Sequence, residues 1–222
     1  MVEANSQRGN RRSILFLLAL IIVPCAIFAG FFVRHRLACR EAFDEIRRLG
    51  GKSVGLKSGE ENRIGEVDLS GTAVTDKDLP SLVSRLVPTN GPASMKLART
   101  AITDAGLEDL KLLTRLVRLD LSETRVTGPG LASLWRFGEQ SDSSADLSLA
   151  GTPIQDDSLA HLQNWRWLQH LDLSNTKITD RGLALLEAMG PMLSRVDIGG
   201  TEVTDQGVNR LKSAHPGLSI NR

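Results

Sequence analysis

A thirteen-residue phrase returns six times along this 222-residue chain, and it constrains the fold more than any other feature. It reads VDLSGTAVTDKDL from Val67, MKLARTAITDAGL from Met95 and LDLSETRVTGPGL from Leu119. It continues as LSLAGTPIQDDSL from Leu147, LDLSNTKITDRGL from Leu171 and VDIGGTEVTDQGV from Val196, with a fragment, LSIN, at Leu218. The second apolar residue of each unit falls at Leu69, Leu97, Leu121, Leu149, Leu173, Ile198 and Ile220, at intervals of 22 to 28 residues. A unit that short cannot close a core alone, so neighbours must stack to bury one another.

Each unit has a local reading. Its apolar-x-apolar start predicts a short strand, because side chains alternate across a sheet and both apolar ones then share a face. A Thr-led corner follows, and Thr-Asp-x-Gly-Leu opens a helix in which Thr or Asp caps the free N–H groups of the first turn. Leucines such as Leu107, Leu110, Leu113 and Leu116 extend the buried side. Stacked units bring the strands into one parallel sheet. The corner position holds Thr72, Thr100, Thr124, Thr152, Thr176 and Thr201. Their hydroxyls are expected to meet turn backbone groups and to form a ladder of hydrogen bonds along the stack, a structural role.

On this wording the body, residues 63–222, resembles leucine-rich repeat proteins, and LxLSxTxITDxGL is similar to the subclass seen in F-box-type substrate receptors. Thr stands here at the Asn or Cys position of that pattern, and no F-box precedes the repeats. The segment Arg40–Gly51, REAFDEIRRLGG, is similar to one in membrane-anchored bacterial leucine-rich repeat proteins. The resemblance implies an α/β solenoid: a short arc with a parallel sheet on its concave face and helices on its convex face. It implies an anchored location and no particular activity.

The first sixty residues differ from the rest in charge. They carry ten Lys/Arg against five Asp/Glu, whereas the whole chain has 27 against 26. After a basic tail, 1–12, comes an uncharged run from Ser13 to Val33, which as a helix spans about 30 Å, the thickness of a bilayer core. Arg11 and Arg12 bound it on one side and Arg34, His35 and Arg36 on the other. We expect an uncleaved single-pass membrane anchor contacting the lipid bilayer through 13–33. A cleaved signal peptide ending at Ala29, or a lipid-modified Cys25, fits less well because apolar Gly30–Val33 follow. Basic residues flank both ends, so the side of the membrane is left open. Residues 34–62 are expected to cap the first repeat with an amphipathic helix, using Leu37, Phe43, Ile46 and Leu49, ended by Gly50 and followed by a Val54/Leu56 strand.

The candidate site is the sheet's solvent face. The residue between the two strand apolars points there: Asp68, Lys96, Asp120, Ser148, Asp172 and Asp197. A largely acidic row, on strands about 4.8 Å apart, suits a basic protein partner. The row before it reads Glu66, Ser94, Arg118, Asp146, His170 and Arg195, of mixed sign. Longer units place inserts at 86–94 and 136–144, expected to project from one edge. Trp135 lies beside the second, and Trp165 and Trp167 flank Arg166 in the next repeat, as partner anchors or as packing.

Other functions are disfavoured. Near-zero net charge, no Tyr and 4% aromatic residues argue against nucleic acid. Two cysteines and four unpaired-looking histidines offer no metal spacing, and no cofactor is expected. Gly51-Lys52-Ser53 lacks the upstream glycine of a phosphate loop, and no nucleophile elbow or zinc-protease motif occurs. We expect a membrane-anchored protein-binding module and not an enzyme; a substrate-recruiting adaptor and a structural envelope scaffold are the alternatives.

Overall fold

The computed structural model describes residues 33–58, 61–138, 145–189 and 192–222. The chain divides into a unit ending at Ala38 and a second from Cys39 to Arg222. The expected span, 13–33, lies outside the described residues except for Val33; no helix among the described residues is long and apolar enough to cross a membrane.

Residues 33–48 are helical (α1). Strand β1 (Lys52–Ser58) then turns back on β2 (Glu61–Asp68), and the repeats follow as β3 (Ser94–Lys96), β4 (Arg118–Asp120), β5 (Ala145–Ser148), β6 (Leu168–Asp172), β7 (Arg195–Asp197) and β8 (Ser219–Asn221). All eight strands form one sheet in chain order. Only β1 and β2 are antiparallel; every later pairing is parallel, with Val67 beside Met95, Leu119, Leu147, Leu171, Val196 and Ile220 in turn, and the register slips once, between Ala145 and Asp146 where β5 meets β6. The expected parallel-stranded solenoid is therefore present. Its core is the stack of strand leucines against the leading helical leucines, Leu79, Leu107, Leu131, Leu159 and Leu183, all buried.

The helix and the strand expected before the first repeat are present, with Val54 exposed on the strand. Cys39, Ala42 and Ile46 are buried, and burial pushes the Cys39 thiol pKa up. Leu37 is exposed, contrary to the expected apolar face. Nine residues separate it from Ile46, two and a half turns, so it emerges on the opposite side of the helix. Glu45 is buried on the inner face, where Arg48 grips both its oxygens at 2.8 and 3.0 Å, and Ser81 of α2 (Leu79–Leu86) donates at 3.1 Å. The Arg48 hydrogen bond keeps Glu45 below the usual carboxylate range despite burial. Gly50, at φ +78°, ends the helix as expected.

Each corner threonine bonds within its own repeat, which corrects the expected ladder. Thr72, Thr100, Thr124, Thr152, Thr176 and Thr201 donate to the carbonyl three residues back, from Leu69 to Ile198, at 2.5–2.7 Å. A hydroxyl is too short to reach the next strand and closes its own turn instead. The residue before each threonine is left-handed in all six repeats: Gly71, Arg99, Glu123, Gly151, Asn175 and Gly200.

The ladder along the stack comes from the Thr-Asp-x-Gly phrase. Thr103, Thr179 and Thr204 cap α3 (Asp104–Leu110), α4 (Asp180–Leu186) and α5 (Asp205–Ala214). The aspartate of one repeat accepts from the threonine of the next. Asp76 takes the Thr103 amide and hydroxyl at 2.9 and 2.6 Å, and Asp104 takes those of Thr127 at 2.8 and 2.6 Å. Asp156 does the same with Thr179, and Asp180 with Thr204. The phrase's glycine makes room: a Cβ on Gly106 would lie 2.5 Å from Asp76 Oδ1.

The 86–94 insert is less prominent than expected. It coils into a 3-10 turn, Val87–Thr89, that buries Thr89, Gly91 and Pro92 and leaves Val87, Pro88 and Asn90 outside. Most of the second insert, 139–144, lies outside the described residues.

Candidate functional site

The two rows predicted for the solvent face are real neighbours, except that Ser94 is buried instead of facing solvent. Register places Glu66, Ser94, Arg118, Asp146, His170 and Arg195 across successive strands, and Asp68, Lys96, Asp120, Ser148, Asp172 and Asp197 beside them. A shallow groove runs over the central strands, its polar floor including Arg118, Asp120, Asp146, Ser148, His170 and Asp172.

The aspartates have a second job that their sequence position did not announce. Asp68, Asp120 and Asp172 each use Oδ1 to accept, at 2.9 Å, the amide two residues on, at Ser70, Ser122 and Ser174. The row is therefore partly structural, each carboxylate holding the strand's exit turn with one oxygen. At Asp68 that amide bond outweighs burial and keeps the pKa below its ordinary value. The signal was present in the Asp-x-Ser spacing of LDLS.

The ends of the face neutralise themselves. Lys96 Nζ sits 2.9 Å from Glu66 Oε1, which raises the lysine pKa. Asp197 accepts from His170 Nε2 at 2.6 Å, from Arg195 Nε at 3.1 Å and from Asn221. Burial raises its pKa, but these donors outweigh it and hold the carboxyl below the usual range. With three donors on one carboxylate, His170 is anchored and Asp197 is committed.

The centre is different. Ser122 Oγ donates to Asp120 at 2.5 Å, Ser148 Oγ donates to Asp172 at 3.1 Å, and the two hydroxyls lie 2.8 Å apart. Three short contacts share two hydroxyl protons, so this chain is one donor short. Asp146 stands on β5, one position before Ser148 in the same face, and Arg118 is exposed beside it on β4. Asp120, Asp146 and Asp172 enter no ion pair among the described residues. Asp120 and Asp172 thus share a chain that is one proton short, with Asp146 on the same face beside it, while the flanking cations Lys96 and Arg195 are spent on acids of their own.

The tryptophans divide. Trp165 is buried against Phe137, ring centroids 5.0 Å apart, so it is packing. Trp135 and Trp167 are exposed on the edge where helical segments return to strands.

Among the described residues no group of three or more His, Cys, Asp or Glu is arranged to hold a metal. A family model described as a leucine-rich repeat matches residues 166–186. Among solved structures, an internalin (inlF) from Listeria monocytogenes is similar at 17% identity and a TM-score of 0.49, over 65% of this chain. The chain spans 43% of that internalin's length. No curated protein matches.

Proposed function

We propose that this chain, a leucine-rich repeat protein, is a membrane-anchored binding module whose concave face receives a basic segment of a protein partner. The carrying observation is the donor-short chain between Asp120 and Asp172, with Asp146, in no ion pair among the described residues, on the same face beside it. An arriving guanidinium or ammonium supplies the missing hydrogens and the missing charge at once. Such charge-assisted bonds contribute about 1.5–3 kcal/mol each. Arg118 beside them favours a partner whose basic residue is followed by an acidic one, which sets register along the groove. Lys96–Glu66 and Arg195–Asp197 close the two ends, so a purely acidic ligand finds no free cation there.

The reading is non-enzymatic. The nearest approach to a catalytic pair, His170–Asp197, is held by two further donors and adjoins no nucleophile in hydrogen-bond contact among the described residues. Anchoring rests on the uncharged run 13–33 and its arginine flanks.

The test uses asparagine. Asp120→Asn and Asp172→Asn keep the Oδ1 that accepts from Ser122 and Ser174, so charge is removed while the turns stay. A photo-crosslinking residue at Arg118, in the full chain in native membranes, should capture a discrete protein. Adding Asp120→Asn, Asp146→Asn and Asp172→Asn should cut its yield more than tenfold. Unchanged capture, or none, defeats the reading; protease access to the body in intact cells then tells which compartment's proteins were available.

A further inference from the structure

Exposed apolar side chains on the repeats are not scattered. Val87, Leu112, Trp135, Trp167 and Met192 are the large hydrophobic residues left exposed there, one in each of the first five repeats. Every one lies between the end of a helical segment and the next strand. Because the repeat strands are parallel and in chain order, those connections all fall on one edge of the stack. Backbone bonds tie successive connections together: Val117 N to Ala93 O, Gly138 N to Leu116 O, Ala145 N to Trp167 O and Ser194 N to Gln169 O. The five side chains therefore form a row along that edge, with an apolar groove lined by Leu113, Leu116 and Trp135 beneath its middle.

We propose that this edge lies on the lipid–water interface of the bilayer that carries the anchor. The two tryptophans point to lipid over protein. Trp135 is 57% exposed with the Arg136 guanidinium 5.5 Å from its ring centre, and Trp167, 41% exposed, follows directly on exposed Arg166. Ring and guanidinium side by side match the layered interface, where indole rings settle at head-group depth and guanidinium groups reach phosphates. The row also spans five repeats, with unlike side chains at equivalent positions (Val, Leu, Trp, Met). Fluid lipid tolerates that variety, whereas a protein surface would demand matched pockets. The tether supplies the rest: a chain held by residues 13–33 meets its own bilayer at high effective concentration, so a few shallow side chains suffice where a free protein would need many. The inference rests on the anchoring reading and is independent of the concave ligand. It gives the body a fixed attitude, the groove held sideways to the membrane instead of facing it or swinging freely.

The chain's three tryptophans report on this directly, since all lie near the edge and Trp165, 2% exposed, serves as an internal control. The full chain is reconstituted into phosphatidylcholine–phosphatidylglycerol vesicles with or without a bromine-labelled lipid, and co-flotation is checked first. The labelled lipid should quench a large part of the emission. Trp135→Phe and Trp167→Phe should each remove a share of the quenched component, while Trp165→Phe should leave that component intact. A chain that floats but shows no lipid quenching, with Trp135 and Trp167 open to aqueous acrylamide, overturns the edge contact alone. Shielding from both quenchers that grows with protein density assigns the edge to a second copy and also overturns it. Failure to float removes the anchoring and this inference with it, leaving the acidic groove untouched.

Discussion

The second, fifth and sixth repeats open α-helices with Thr-Asp-x-Gly, whereas the third and fourth close on 3-10 turns, Pro129–Leu134 and Asp156–Leu162. The joint between them explains why. Gly128 stands where the others have the ladder aspartate, and Ser158 where four of them have the glycine that accommodates it. Size has changed sides. At the outer joints a large acceptor faces a glycine; at the centre Gly128, at φ +125°, faces Ser158, and a Cβ there would collide with the serine. Ser158 restores part of the link by donating to Thr127 O at 2.7 Å and accepting from Gln155 N at 3.1 Å. A repeat joint is thus a matched pair of positions on two units, and either member can change only with its partner.

The comparison is broken most severely by giving an outer joint half of the central solution. Gly182→Ser would drive a side chain into Asp156, with Ile178 already 2.8 Å from the Cβ position, and should cost about 3 kcal/mol in urea unfolding. Gly128→Asp should cost a similar amount, and combining it with Ser158→Gly should recover at least about 1 kcal/mol in a double-mutant cycle. Additive losses would show that the two positions do not form a pair.

Next comes the acceptor itself. Asp104 receives the Thr127 amide and hydroxyl and the amides of Gly128 and Gly130, so Asp104→Ala should cost about 2–3 kcal/mol. Burial pushes its pKa up, but these four donors outweigh burial and set it below the ordinary value. A carboxylate with a depressed folded pKa stabilises fully above its unfolded pKa of about 3.9 and loses that contribution as pH falls through the folded one. The melting temperature should therefore drop below about pH 4, and Asp104→Asn should flatten that drop. A wild-type slope in the variant would assign the acid sensitivity to other carboxylates.

A corner hydroxyl matters less. Thr176→Val removes one bond to Leu173 O and should cost about 1 kcal/mol, equally at central Thr124 and outer Thr176, because corners do not distinguish the regions. Smallest is a gain: Glu123 sits at φ +55° where three repeats use glycine, and Glu123→Gly should stabilise by up to about 0.5–1 kcal/mol. A loss there would mean that the Glu123 side chain packs on its neighbour Gly151.

Much of this was legible from the chain itself. Strand positions, the parallel order and the two surface rows follow from a period-two alternation recurring at near-constant spacing, since each residue's facing is then set locally. The ladder was not legible. Thr-Asp read as an ordinary helix start, and its aspartate was free to serve its own helix; only stacking brings the next repeat's threonine within 2.6–2.7 Å. Leu37 departs from the expected apolar face because nine residues, two and a half helical turns, put it opposite Ile46. Trp165 and Trp167, two residues apart, could not be told apart by composition, yet one is core and the other surface.

Sequence alone determined that neighbouring units must hide each other's leucines and which side chains are left facing solvent, because alternation and repeat length are properties of the covalent chain. Only the folded stack decided which of those polar groups are already satisfied. Asp197 gathers three donors while Asp120 and Asp172 share two hydroxyl protons with one contact to spare, and that inequality depends on distances across strands 24 to 27 residues apart.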